Sequence, residues 1–225
     1  MAITTIIVFF IALLSMAAIF FGVTTVVNKD IRKSAPFSAG LFLVYLLSWA
    51  TPNDMFWLTD AFVMVGAVGI GTFLAFFLNT RWHVVGFAVA AAVADYYGFD
   101  GGLTRKIFVE YQTGEANYLA HIALFIPVGE DVQPLFALGD LVVISALFAA
   151  MLNLRIPRWK IFIAPTFGLM LALITLAAGG SYFGLALMAA STVLFITFGT
   201  LFALFGAAFY FVFLFLIWPT INGAS

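Results

Sequence analysis

Two acidic residues stand apart from the other eight. Asp95, in Val93-Ala94-Asp95-Tyr96-Tyr97, and Asp140, in Ala137-Leu138-Gly139-Asp140-Leu141, fall within apolar stretches, whereas the rest fall in polar loops or at the edges of apolar runs. An ionisable group in an apolar membrane span costs at least ~2.5–3.5 kcal/mol, so its default reading is functional. Two carboxylates a few ångström apart cannot both ionise, and they share a proton. The ionised member then takes a proton from water, and the protonated member donates to a carbonyl oxygen. That arrangement hydrolyses a peptide bond by general acid–base catalysis, without metal or covalent intermediate. The competing reading is structural: such residues also cap helices, bind a hydroxyl or sit at the interface, and Tyr96 and Tyr97 have the character of interfacial anchors.

The elements that must position these residues follow from composition. The chain has 225 residues, of which 65% are hydrophobic and 8% charged, and its mean hydropathy is +1.18. A soluble domain carries roughly a quarter charged residues, so a water-soluble enzyme, a nucleic-acid binder and a disordered chain are all excluded. The expected class is all-α: a polytopic transmembrane helical bundle, residues 1–225 forming a single domain. With no cysteine, disulfides, thiolate metal sites and cysteine nucleophiles are ruled out.

Six apolar stretches qualify as spans, at about 4–27, 37–50, 61–79, 83–98, 134–153 and 161–178. The run from Phe183 to Trp218 is too long for one upright helix and reads as two, broken near Phe198-Gly199-Thr200, which gives eight spans with seven as the alternative. The first span reads as a retained anchor rather than a cleaved signal, with Lys29, Arg32 and Lys33 as its stop-transfer flank. If the spans alternate, these three bases share one side with Arg81, Arg155, Arg158 and Lys160, seven of the nine in all. That side is expected to be cytoplasmic, with the N-terminus outside. Residues 99–133 form an extramembrane or interfacial segment. Within it, residues 104–112 read as a short amphipathic helix, and 121–128 as a second interfacial or re-entrant piece.

On this topology Asp95 lies three residues before the outer end of the fourth span, and Asp140 six residues past the outer start of the fifth. At ~1.5 Å per residue these depths are about 5 and 9 Å below the same surface. Gly139, beside Asp140, would let a partner backbone come close.

The motif Leu138-Gly139-Asp140 on one span, preceded by a span that ends in an Asp, resembles the intramembrane aspartyl proteases of the presenilin and signal peptide peptidase type. Gly101-Gly102-Leu103-Thr104-Arg105-Lys106-Ile107-Phe108-Val109-Glu110 is similar to the segment that follows that family's first catalytic Asp. The resemblance covers about residues 84–153. It implies Asp95 and Asp140 as a catalytic dyad, with Tyr96, Gly139 and Pro165 supporting the site, no cofactor, and a transmembrane helix as substrate. The sequence departs from the family pattern in three places. Ala137 replaces the first Gly of Gly-x-Gly-Asp, Tyr96 follows Asp95 where the family's Tyr precedes it, and the nearest match to the family's Pro-Ala-Leu motif, at Ala164-Pro165-Thr166-Phe167-Gly168-Leu169, comes on the sixth span instead of the last.

Two further function classes stay open. One is a non-catalytic membrane subunit that packs in a larger complex or binds an apolar pigment or lipid. The 28 Phe suit packing, lipid contact or an apolar pigment groove, and the glycines Gly66, Gly69, Gly71, Gly199 and Gly206 permit close helix contact. The other is a proton-coupled transporter that uses the same two Asp. His83 and His121 fall on opposite sides, which argues against a bis-histidine haem, and His121 reads as solvated. Ser181 reads as part of a tight outer turn. The expected partners are the bilayer, with either a helical substrate or neighbouring membrane subunits, and no nucleic acid. The expected location is multi-pass in a prokaryotic cytoplasmic or inner membrane.

Overall fold

The computed structural model describes residues 2–27, 31–51, 55–100, 110, 119, 121–128 and 131–163. These are mostly helical. Helix α1 spans Ala2–Val27, α2 Ile31–Leu46, α3 Phe56–Leu74, α4 Arg81–Asp100 and α5 Leu138–Asn153. Single 3₁₀ turns extend α2 through Ala50 and α3 through Phe77, and residues 158–163 are again helical. Two helices, at Phe10–Val27 and Phe56–Phe77, are long and apolar enough to cross a membrane, and the apolar helices Pro36–Ala50 and Leu138–Asn153 are shorter. The expected spans at 161–178 and 183–218 lie, apart from residues 161–163, outside the described residues. So does the amphipathic helix expected at 104–112, apart from the helical Glu110.

One expectation is corrected: the span expected to start at 134 does not begin there, and the interfacial or re-entrant piece expected at 121–128 has strand structure. Residues 121–137 contain an antiparallel hairpin of β1 (Ala123–Val128) and β2 (Asp131–Ala137), with Val128 opposite Asp131, Ala123 opposite Ala137, and a bulge between Leu124 and Phe125. Pro127 and Pro134 supply the reason. A proline in a helix interior removes a hydrogen bond and clashes with the preceding turn, at about 3 kcal/mol each, whereas a two-stranded ribbon has free edge positions for both. The fold is therefore mainly helical rather than purely so, and the fifth apolar helix starts at Leu138 instead of near 134.

Helix α3 is the hub, and its glycines explain why. A Cβ added at Gly66 would lie 2.6 Å from Cβ of Tyr45, and one at Gly69 would lie 2.8 Å from the Ser38 carbonyl oxygen. Both neighbours are on α2. On another face, a Cβ at Gly71 would lie 2.8 Å from both the Val142 carbonyl oxygen and the Ala146 nitrogen of α5. Bare backbone at these positions lets helices approach closely enough for dispersion and polar contacts to accumulate. One such contact joins the buried hydroxyls of Ser38 and Thr72 at 2.8 Å, and Thr72 Oγ1 also bonds back to the Val68 carbonyl at 2.7 Å.

Helix α1 completes the core with a stripe at Ala12, Met16, Ile19, Val23 and Val26, all buried, at the alternating four- and three-residue spacing of one helical face. Phe20 meets Phe148 of α5 edge-to-face, with centroids 5.1 Å apart. Phe148 is only 1% exposed. These contacts also fix direction. Ser38 and Tyr45 meet α3 in reverse order, so α2 runs against α3. The pairing of Gly71 with Ser145 and of Asp60 with β1, which leads into α5, sets α3 and α5 parallel. The connector at 78–80 turns the chain back into α4, whose buried residues Val84 and Ala88 join the same core. The bundle thus has a hairpin end and an opposite end, and the latter carries Arg81, Arg155, Arg158 and Lys160.

Helix α5 stops in a defined way. The Ile156 N–H donates to the Met151 carbonyl at 3.1 Å and the Arg155 N–H to the Leu152 carbonyl at 2.9 Å, the paired bonds of a left-handed helix terminus. Arg155 occupies the left-handed position, with φ 59°, where glycine is usual. A Cβ in that conformation costs about 1 kcal/mol. Arg155→Gly is therefore expected to raise stability by about that amount, measured as a higher melting temperature in detergent micelles, and a lower one would contradict the assignment.

Candidate functional site

Asp140 lies in the first turn of α5, and that placement decides its bonding. The chain leaves β2 at Ala137 in extended conformation (φ −74°, ψ 152°) and enters the helix at Leu138. The first N–H groups of a helix have no partner within it. Asp140 Oδ2 accepts the Ala137 N–H at 3.1 Å, which is half of a capping box, and Ala137 has no side-chain oxygen to supply the other half. A carboxylate in a first turn also opposes the positive end of the helix dipole. Asp140→Ala should therefore cost about 1 kcal/mol of stability, while Asp140→Asn, which keeps an acceptor, should cost less. Thermal melting of the two variants in micelles checks this, and equal melting temperatures would contradict a capping role.

The other expected site residues are placed as follows. Among the described residues, no heavy atom lies within 4 Å of a Cβ added at Gly139, so no partner backbone is in close contact there. Asp95 and Tyr96 lie toward the end of α4, and their side chains lie outside what the structure describes, as does Pro165.

A second group of polar residues gathers at the hairpin end. Asp60, in the second turn of α3, accepts the Phe125 N–H through Oδ1 at 2.9 Å. The Tyr45 hydroxyl donates to the His121 carbonyl at 3.0 Å. The His121 ring stacks on Trp49, with centroids 5.0 Å apart and planes at 26°. His121 is 7% exposed, a correction to its reading as solvated. Among the described residues, its Nδ1 and the buried Ser48 Oγ have no hydrogen-bond partner. This group ties the hairpin to α2 and α3. Among the described residues, no cluster of three or more His, Asp or Glu is placed to hold a metal ion.

Asp60 is the residue that the sequence reading passed over. Placing the start of the third span at residue 61 made it a solvated edge. The Pro52-Asn53-Asp54 stretch is the stronger stop-and-start signal, and with the helix begun after it, Asp60 falls inside the apolar run.

No protein-family model matches the chain, and no curated protein or solved structure matches it either.

Proposed function

We propose that this chain is a multi-pass membrane protein that serves as a non-catalytic packing subunit, joining other membrane helices through the outer face of α4. The observation that carries the reading is the pairing of an Asp140 that caps α5 with an α4 face that is exposed among the described residues. The Asp140 carboxylate caps α5. On α4, Gly86, Ala90 and Ala94 recur every fourth residue and all are exposed, with open space where a Cβ at Gly86 would stand. Small residues at that interval are what close helix–helix contacts in a bilayer require. Val89 and Val93 flank the stripe and are also exposed, supplying the branched apolar rim.

The test is a double substitution, Gly86→Leu with Ala90→Leu. Both positions are exposed, so the isolated chain should keep or slightly raise its melting temperature, since a helical glycine is removed. The particle mass in mild detergent should fall from that of an assembly to that of one chain. A wild-type chain that is monomeric in mild detergent, or an assembly that tolerates both leucines, would contradict the reading.

One observation favours a second reading, the aspartyl protease. Helix α4, which carries Asp95, packs against α5, which carries Asp140 in its first turn. On that reading Asp95 and Asp140 share a proton, and Asp95→Asn and Asp140→Asn each abolish cleavage of a helical substrate while the fold survives.

A further inference from the structure

The four tryptophans among the described residues all stand at the ends of helices, and none stands in the middle of one. Trp49 lies in the 3₁₀ turn that extends α2, and Trp57 opens α3 across the connection 51–55, both at the hairpin end. Trp82 opens α4 and Trp159 opens the helical turn after α5, both at the opposite end. All four are between 53% and 67% exposed. Tryptophan is highly buried on average in water-soluble folds, so four such exposures call for surroundings that suit an apolar ring with one polar N–H edge. The boundary between membrane and water offers them.

Between the two levels the surface has a different character. Residues 34–50, 61–77, 82–94 and 141–154 contain no Asp, Glu, Lys or Arg, and Leu14, Phe42, Leu43 and Phe73 are exposed there. Phe77, where the chain turns back toward Trp82, follows Trp57 by 20 residues. At ~1.5 Å per residue that is about 30 Å, the thickness of the hydrocarbon layer of a typical bilayer. The levels are also fixed. Val84 and Ile161, close behind Trp82 and Trp159, are fully buried in one core, and at the other end the Trp49 ring stacks on His121.

We infer that Trp49 with Trp57, and Trp82 with Trp159, form two interfacial belts that fix the depth of the chain in a bilayer. Each belt sits at the glycerol and carbonyl level of the lipids, and acyl chains cover the apolar surface between them. The belts require no particular head-group charge, because the amphipathic ring is what the interface holds. The inference rests on the membrane placement proposed above but not on the assembly role. The two fail separately. A chain extracted from membranes by alkaline carbonate defeats the placement and the belts with it, whereas a chain that stays in the bilayer with its tryptophans at other depths defeats only the belts.

The experiment is fluorescence quenching of the full chain reconstituted in phosphatidylcholine vesicles, with lipids brominated either close to the head group or at the end of the acyl chain. Variants that keep one of the four tryptophans, with every other tryptophan replaced by Phe, are compared with a variant in which Leu43→Trp supplies the only indole. Leu43 precedes Trp49 by six residues, which places it about 9 Å deeper at ~1.5 Å per residue. Each of the four native rings should lose most of its emission to the shallow bromines and little to the deep ones, and the indole at position 43 should show the reverse. If chains with so many replacements do not fold, Trp57→Phe, Trp82→Phe and Trp159→Phe singly should each remove emission that the shallow bromines quench. Trp49 stays in place there because it packs on His121. Deep quenching at either belt, emission that neither label quenches, or an indole at position 43 that behaves like the other four would each overturn the inference.

Discussion

Replacing Gly71 with alanine is expected to cost more stability than any other single methyl group added to the described core. A Cβ there would stand 2.8 Å from two backbone atoms of α5, the Val142 carbonyl oxygen and the Ala146 nitrogen, and against the Ser145 side chain. Backbone cannot swing aside as a side chain can, so α3 and α5 must separate. Overpacking a tight core typically costs 1–3 kcal/mol, and a collision with backbone belongs at about 3 kcal/mol or above. Glycine to alanine within a helix otherwise favours the helix by about 1 kcal/mol, so the position of the glycine sets the sign. Gly86→Ala, where a Cβ meets open space, is the matched control and should raise the melting temperature in micelles. If both variants melt alike, the close α3–α5 contact does not exist in the protein.

Asp60→Ala is expected to have the next largest effect, about 2–3 kcal/mol. The carboxylate reaches from α3 to the Phe125 N–H at 2.9 Å, and Phe125 is buried. Hydrogen bonds to charged groups contribute about 1.5–3 kcal/mol, and a buried N–H stripped of its acceptor keeps its desolvation cost. The bond lands at the bulge between Leu124 and Phe125, where the strand ladder is interrupted and an outside acceptor is most needed. Asp60→Asn retains an acceptor and should recover most of the loss. The effect should be local. Hydrogen exchange ought to accelerate across β1 and β2 while the α2–α3 contact stays protected, and uniform acceleration through the bundle would contradict the latch.

The helices were legible because apolar composition over long stretches leaves few alternatives. Expected spans at 4–27, 61–79 and 83–98 correspond to α1, α3 and α4, with shifts of up to five residues at their ends. The hairpin was not legible as such. His121-Ile122-Ala123-Leu124-Phe125-Ile126-Pro127-Val128 lacks alternation, because continuous apolar runs carry no period that separates a buried strand from a buried helix. Its two prolines were the available signal.

Asp140 illustrates the same limit at the level of a site. A sequence shows that an acid lies near a helix start, but whether it is six residues deep or in the first turn depends on where β2 ends. Moving the helix start from 134 to Leu138 turns a buried acid into a cap. Gly71 and Gly69 show the converse. Their presence in the span suggested close contact, while which helix each would face depended on the direction of α2 and α5, which no local pattern encodes.

The role of Asp140 is the point on which the structural reading and the catalytic reading part most sharply, and infrared difference spectroscopy addresses it directly. A dyad that shares a proton holds one carboxyl group protonated at neutral pH, and that group has its own carbonyl stretch. A carboxylate that accepts an N–H at a helix start and faces the positive end of the helix dipole has no need of a proton. Spectra of the wild type, Asp95→Asn and Asp140→Asn in lipid at neutral pH should show no protonated-carboxyl band lost in either variant. A band that disappears in both would mean that Asp95 and Asp140 hold one proton between them, and would contradict the account of this chain as a non-catalytic packing subunit.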